Sequence, residues 1–226
     1  MTNASGSRAR RTRATGGRCA SSSRRTSTAC TSSPTRRTSS RTPMPTHAEV
    51  TGLILAGGAS RRFGRDKALA TLDGVPFVAR VHAALSAHAA SVLVATGPTP
   101  RAYPVDARVV LDAVPDGGPL AGLDAGLAAC QTPWLVSSAV DLPFLTVGAL
   151  QPLLSDVPEA VDVAVALADD GRRQPTVALW RVATVGPVVA ERLAAGRLAL
   201  HGLVDRLEAR EVSIRGLHNI NRPSEL

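Results

Sequence analysis

"LILAGGASRRFGRDKA", residues 53–68, opens as an apolar strand and turns at once into glycine, arginine and lysine. Gly57 and Gly58 lack a Cβ, so main-chain N–H groups there can approach a phosphate or a base closely. Arg61, Arg62 and Lys67 set positive charge beside that turn. Arginine suits two-pronged phosphate contacts, while lysine acts as a mobile point charge. Two well-known phosphate loops do not fit. A Walker A loop needs Gly-Lys followed by Ser or Thr, and here Gly64 is followed by Arg65, Asp66 and Lys67. A dinucleotide fingerprint needs G-x-G-x-x-G, whereas five residues separate Gly58 from Gly64. The competing reading is a glycine turn followed by a solvated basic stretch.

The segments around this loop alternate short apolar strands with helices. "VTGLILAG" reads as a strand, and "PFVARVHAALSAHA" as a helix with Val78, Val81, Ala84 and Leu85 on one face. "SVLVAT" and "ARVVLD" are two more strands, and "GPLAGLDAGLAAC" begins a helix with Pro119 in its first turn. "WLVSSAVD" is a strand ending in a carboxylate, followed by a helix at "TVGALQPLL". "VDVAVAL" and "PTVALWR" flank "ADDGRRQ", whose Asp-Gly step marks a turn. Two helices, "VGPVVAERLAAG" and "LALHGLVDRLEA", then the strand "REVSI" and "LHNINRPSEL", complete the chain. This order predicts an α/β, Rossmann-like three-layer fold with a mostly parallel sheet and right-handed crossovers. Ligands in such folds sit at the carboxyl ends of the strands, so "LAGG", Asp112 and Asp141 are expected on one rim.

Charge divides the chain in two. Residues 1–46 hold ten arginines, no lysine and no acidic residue, so the formal charge of +8 belongs to the tail. Residues 47–226 keep 16 basic against 18 acidic residues, about −2. The segment 1–47 is Ser, Thr and Arg without apolar periodicity and is expected to be disordered, leaving residues 48–226 as the folded domain. A transit peptide would be amphipathic, and a nucleic-acid arm would interleave aromatics, which this segment lacks. The favoured reading is an over-extended start, with Met44 as the beginning, and no nucleic-acid partner is expected. No run of about 20 apolar residues exists, so no membrane partner is expected either. Cys130 is the one cysteine of the domain, which gives no disulfide framework and favours a reducing cytoplasm. His82, His88, His201 and His218 show no metal-ligand spacing.

Asp141 stands at the mouth of a buried strand, where a carboxylate suits Mg²⁺ on a triphosphate. Its alternative is an N-cap, a role for which Thr146 is better placed. Asp112 can accept hydrogen bonds from a guanine or a ribose, or be an exposed turn residue. Gly118, Pro119 and Leu120 begin a small-residue platform that admits a flat base, or simply start a tightly packed helix. Asn219 and Asn221 can hold a polar heterocycle or its phosphate, or cap "RPSEL".

The segment "LILAGGASRRFGRDKAL" resembles the N-terminal signature of nucleotidyltransferases of the nucleotide-diphospho-sugar transferase type. Among these it is most similar to the molybdenum cofactor guanylyltransferases. "LDAVPDGGPLAGL" (111–123) is similar to their D…GPLAG guanine segment, "SSAVDLPFL" (137–145) to their Asp-x-Pro-Phe/Tyr motif, and "NINRPSEL" (219–226) to their Asn-x-Asn-x-Pro motif. The resemblance implies transfer of GMP from GTP to the terminal phosphate of molybdopterin, with Mg²⁺ as cofactor and release of pyrophosphate. It implies Arg62, Lys67 and Asp141 as catalytic, with Asp141 on the metal. Leu55, Ala56, Gly57, Gly58, Lys67, Asp112, Gly118, Pro119, Leu120 and Asp141 would bind the nucleotide, and Asn219 and Asn221 the pterin side. Cofactor-delivery or acceptor proteins are candidate partners. Two departures stand out: Ala95, Thr96 and Gly97 replace an asparagine often found after the second strand, and Val140 stands where cysteine is common. Another nucleotidyltransferase with a different phosphorylated acceptor, or a nucleotide-binding protein without catalysis, would keep the same fold. A pure binder has little need of both Asp141 and Lys67.

Overall fold

The structure, a computed structural model, describes residues 44–57 and 66–225. Gly58, Arg61, Arg62 and the Arg-rich segment up to residue 43 lie outside the described residues. The described residues fall within one unit, Ser40–Leu226.

In chain order the elements begin with β1 (Val50–Leu55), the small hairpin β2 (Thr71–Leu72) and β3 (Val75–Pro76), and α1 (Phe77–Ser86). They continue with β4 (Ser91–Ala95), β5 (Arg108–Val110), α2 (Gly118–Ala129), β6 (Trp134–Ala139) and α3 (Val147–Leu154). The last third holds β7 (Val163–Leu167), β8 (Arg173–Arg181), α4 (Val182–Ala194), α5 (Leu200–Val204) and β9 (Ala209–Ser213). The hairpin escaped the sequence reading, although "LDGV" carries its signal. Asp73 and Gly74 both adopt positive φ, 51° and 77°, as a two-residue hairpin turn demands.

The sheet runs β5-β4-β1-β6-β8-β7-β9. β8 alone is reversed, pairing antiparallel with β6 and β7, while every other neighbouring pair is parallel. β1 lies at the centre and is buried along its whole length, as a strand covered on both faces must be. Its alternate residues serve different layers. Val50 and Ile54 join Phe77, Val78 and Val81 of α1 and Leu150 and Leu153 of α3. Leu53 and Leu55 join Leu120, Leu123 and Leu127 of α2, Val185 and Val189 of α4, and Leu203 of α5. Each such aliphatic or phenyl side chain contributes about 1.5–3 kcal/mol on burial. With few aromatics, the core depends on many of them.

The approach of α2 to β1 is set by two glycines four residues apart. A Cβ on Gly126 would lie 2.5 Å from Leu53 Cδ2, and one on Gly122 would lie 3.0 Å from Leu55 Cδ2. The "GLDAG" spacing therefore lets the helix sit directly on the strand, bringing its amino-terminal end over the β1 loop. α3 starts where Thr146 accepts a hydrogen bond from the Ala149 N–H, so Asp141 is not needed as its cap.

Candidate active site

The carboxyl ends of β1 and β6 open into a cleft of about 350 Å³. Leu55, Ala56 and Gly57 form one wall, Asp112, Gly118, Pro119 and Gly122 a second, and Lys67 with Asp141 the floor. The turn after β1 is fastened on both sides: Ala56 N–H donates to the Ala95 carbonyl at 2.8 Å, and the Leu55 carbonyl accepts from Val140 N–H at 3.1 Å. Gly57 is an enforced glycine. A Cβ there would meet the Gly97 main-chain nitrogen at 3.1 Å and Asp112 Oδ2 at 3.4 Å, and main chain cannot swing aside as a side chain can.

Lys67 is the hub of the floor. Its Nζ lies 3.1 Å from Asp141 Oδ2 and 3.2 Å from Asn221 Oδ1. Asp141 in turn accepts the Ile220 N–H on its main-chain carbonyl at 2.9 Å, which draws the C-terminal "NIN" segment to the β6 end. Among the described residues the second carboxylate oxygen of Asp141, Oδ1, is buried without a hydrogen-bond partner, and so is Oδ1 of Asp112. Leaving such atoms unmatched costs about 1–3 kcal/mol or more each, which makes both oxygens candidates to accept from a donor or to meet a cation. Burial holds the Asp112 carboxyl above the ordinary carboxylate range, against a main-chain hydrogen bond from Gly97 that lowers it.

Asp141 suits a hard divalent cation, which takes oxygen ligands and commonly shares one or two carboxylates with substrate phosphates. Among the described residues no group of three or more His, Cys, Asp or Glu side chains is placed to hold a metal by itself.

Other residues singled out from sequence fall less directly on the cleft. Leu120 is fully buried in the core, so only its main chain is available for recognition. Thr96 turns its hydroxyl to the Thr99 carbonyl at 2.9 Å and is itself buried. Of the three residues Ala95, Thr96 and Gly97, Ala95 lines the cleft. Asn219 lines the cleft, while Asn221 reaches it through Lys67. The sequence reading missed Gln174 and Thr176, both in the cleft wall. Gln174 Nε2 donates to Asn219 Oδ1 at 2.8 Å, and among the described residues the Thr176 hydroxyl is buried without a partner. These residues sit near the start of β8. Because β8 is antiparallel, its amino end lies beside the carboxyl end of β6, a placement that no rule about strand carboxyl ends would suggest.

A second recess, about 570 Å³, lies beyond the Gln174–Asn219 pair and is edged by Arg172, Arg173 and His201. Arg173 is already engaged by Asp205 at 2.7 Å and Glu211 at 2.6 Å. A further recess of about 590 Å³ lies at the amino ends of β1, β4 and β5. Its His47, His82 and Arg108 side chains are hydrogen-bonded to main-chain carbonyls of Ser86, Asp106 and Ala129. The smaller Lys67–Asp141 cleft is the one that sets a lysine and two carboxylates beside a glycine at the strand ends.

Gly57, Lys67 and the strand-terminal carboxylate of Asp141 thus meet at one edge of a sheet in which β8 alone is reversed. Residues 52–209 match the MobA-like NTP transferase domain, and the chain belongs to that family. It is 40% identical over 171 residues to a molybdenum cofactor guanylyltransferase of Cupriavidus metallidurans, covering 70% of this chain and 84% of that protein. It is 38% identical over 194 residues to the molybdenum cofactor guanylyltransferase of Burkholderia lata, covering 78% and 93%. Among solved structures, molybdopterin-guanine dinucleotide biosynthesis protein A from Archaeoglobus fulgidus superposes with a TM-score of 0.60 at 19% identity, covering 77% of this chain and 94% of that one. The 2-C-methyl-D-erythritol 4-phosphate cytidylyltransferase from Thermus thermophilus superposes as well, with a TM-score of 0.61 at 19% identity, covering 76% and 93%. These likenesses show that the fold is shared with both proteins. The protein is a nucleotidyltransferase.

Proposed function

We propose that this protein transfers GMP from GTP to the terminal phosphate of molybdopterin and releases pyrophosphate. The observation that carries the reading is the Lys67–Asp141 pair at 3.1 Å, on the floor of a cleft walled by the glycine turn and Asp112. The naming of relatives at 35–40% identity as molybdenum cofactor guanylyltransferases supports the acceptor.

In this mechanism an oxygen of the acceptor's terminal phosphate attacks the α-phosphorus of GTP in line. The bond from that phosphorus to the bridging oxygen of the β-phosphate breaks, and pyrophosphate leaves with the electron pair. The attacking oxygen is already ionised, so no side chain has to take a proton. Catalysis then rests on positioning and on charge. Lys67 supplies positive charge to the phosphates, and we assign the same task to Arg62. Asp141 would hold Mg²⁺, which supplies Lewis-acid neutralisation of the triphosphate when bound. Gly57 and the start of α2 let main-chain groups approach the nucleotide. Asp112 is assigned to the guanine, where its partnerless oxygen can accept the base's N–H donors. Asn219 and Gln174, lying between the cleft and the neighbouring recess, are assigned to the acceptor side.

Among the described residues no helix is long and apolar enough to cross a membrane, and we place the enzyme in the cytoplasm, where GTP is available. Pyrophosphate release measured with each of the four NTPs, with and without molybdopterin, tests the reading. Release that requires both GTP and molybdopterin is expected; equal release with CTP or with a different phosphorylated acceptor would replace it.

A further inference from the structure

The residue before Lys67 is tied down more thoroughly than a loop residue needs to be. Asp66 Oδ1 accepts the Ala68 N–H at 3.0 Å and caps the short turn Lys67–Leu69. Its other oxygen accepts from Arg101 Nη1 at 3.2 Å and from Tyr103 Oη at 3.1 Å. Both partners come from the loop between β4 and β5, which thereby reaches across to the segment that follows the glycine turn. On the other side, Ala68 and Ala70 are fully buried, and the Ala70 carbonyl accepts the Phe77 N–H at 2.8 Å. Lys67 sits between these two anchors and spans from them to Asp141 and Asn221. Burial, then the Asp66 charge, pushes the Tyr103 hydroxyl up to about 12, so it remains a donor at any working pH.

A tie serving only stability could be built from apolar contacts. Here a carboxylate one residue from the phosphate-facing lysine is held at both oxygens by three donors. Fixing that carboxylate fixes the path of the main chain from which the lysine extends. A displacement of about 1 Å at a reacting group can cost on the order of 100-fold in rate. We propose that Asp66, clamped by Arg101 and Tyr103, is a positioning residue that aims Lys67 into the transfer cleft. The inference rests on the nucleotidyl-transfer reading of that cleft.

The test compares Asp66→Asn, Arg101→Lys and Tyr103→Phe in the full-length protein, each alone and each combined with Lys67→Ala. Pyrophosphate release from GTP and molybdopterin is followed, with single turnovers at excess enzyme so that the slow Lys67→Ala reaction is still read. Asp66→Asn is expected to lower kcat on the order of tenfold with the KM for GTP within about twofold, because Lys67 acts on charge that develops during transfer. Arg101→Lys and Tyr103→Phe follow with smaller losses, and Tyr103→Phe keeps its ring packed even if Asp66→Asn fails to fold. Combined with Lys67→Ala, each substitution changes the rate by less than about twofold, since the group it positions is gone. Unchanged kcat in the singly substituted proteins, or equal losses with and without Lys67, overturns the proposal. No turnover in the unsubstituted protein overturns the functional reading instead, so the two failures are distinct.

Discussion

The two halves of the sheet contribute to the cleft by opposite geometries. In the parallel half, β1, β4, β5 and β6 all deliver residues at their carboxyl ends: Ala56 and Gly57, Ala95, Asp112 and Asp141. In the other half, β8 runs backwards and delivers Gln174 and Thr176 from near its amino end. The parallel half holds charged and glycine-rich groups suited to phosphate and base. The reversed strand brings one neutral amide, Gln174, and the Thr176 hydroxyl, with Gln174 joined to the C-terminal Asn219. On the function proposed above, the nucleotide would lie against the first half and the acceptor against the second.

The sharpest way to break that assignment is Asp141→Asn. The side chain keeps its shape and its place beside Lys67 but loses the charge a divalent cation requires. Turnover should fall by about 10³-fold or more, the equivalent of several kcal/mol in the transition state. The protein should stay folded, because Thr146 and not Asp141 caps α3. A folded variant with near-normal turnover at low Mg²⁺ would remove Asp141 from the mechanism.

Asp112→Asn addresses the base and should reduce the preference for GTP over CTP on the order of tenfold in competitive titration, since a mismatched buried partner is penalised. It also carries a pH signature. A carboxyl whose folded value lies above the ordinary one binds more protons folded than unfolded. Stability therefore falls as pH rises from the ordinary carboxylate value through the raised one. Asn lacks that fall, so the variant should melt higher than the parent at pH 7 and no higher at acid pH. Thermal midpoints across that range decide it, and a lower midpoint at pH 7 would show that Asp112 is a structural partner.

Asn219→Ala separates the halves more gently. Loss of one neutral hydrogen-bonding group is about 1 kcal/mol, so the KM for molybdopterin should rise about fivefold with the KM for GTP unchanged. A rise confined to GTP would move the reversed half to the nucleotide side. The smallest effect is expected from removing residues 1–43. Gln151 Nε2 lies 3.1 Å from the sulfur of Met44, so a chain beginning there keeps its contact with α3. Its thermal midpoint and turnover should match those of the full chain, and a clear loss of either would give the Arg-rich segment a role.

Much of this was legible from residues alone, and the reason is local chemistry. Apolar runs bounded by Gly, Pro and Asp mark strands, and a 3.6-residue period marks α1, so the alternating α/β order follows without tertiary information. Gly57, Lys67 and Asp141 could be picked out because their residue types announce them at the ends of such runs. What only the folded chain decided is which distant groups meet. The reversal of β8 put Gln174 and Thr176 on the rim. Helix packing on Gly122 and Gly126 left Leu120 in the core while Pro119 and Gly122 face the cleft. The contacts of Asp66 with Arg101 and Tyr103 cross 35 and 37 residues, and Lys67 meets Asn221 across 154. Strand direction and long-range pairing depend on how every layer closes on the core, and no local pattern encodes them.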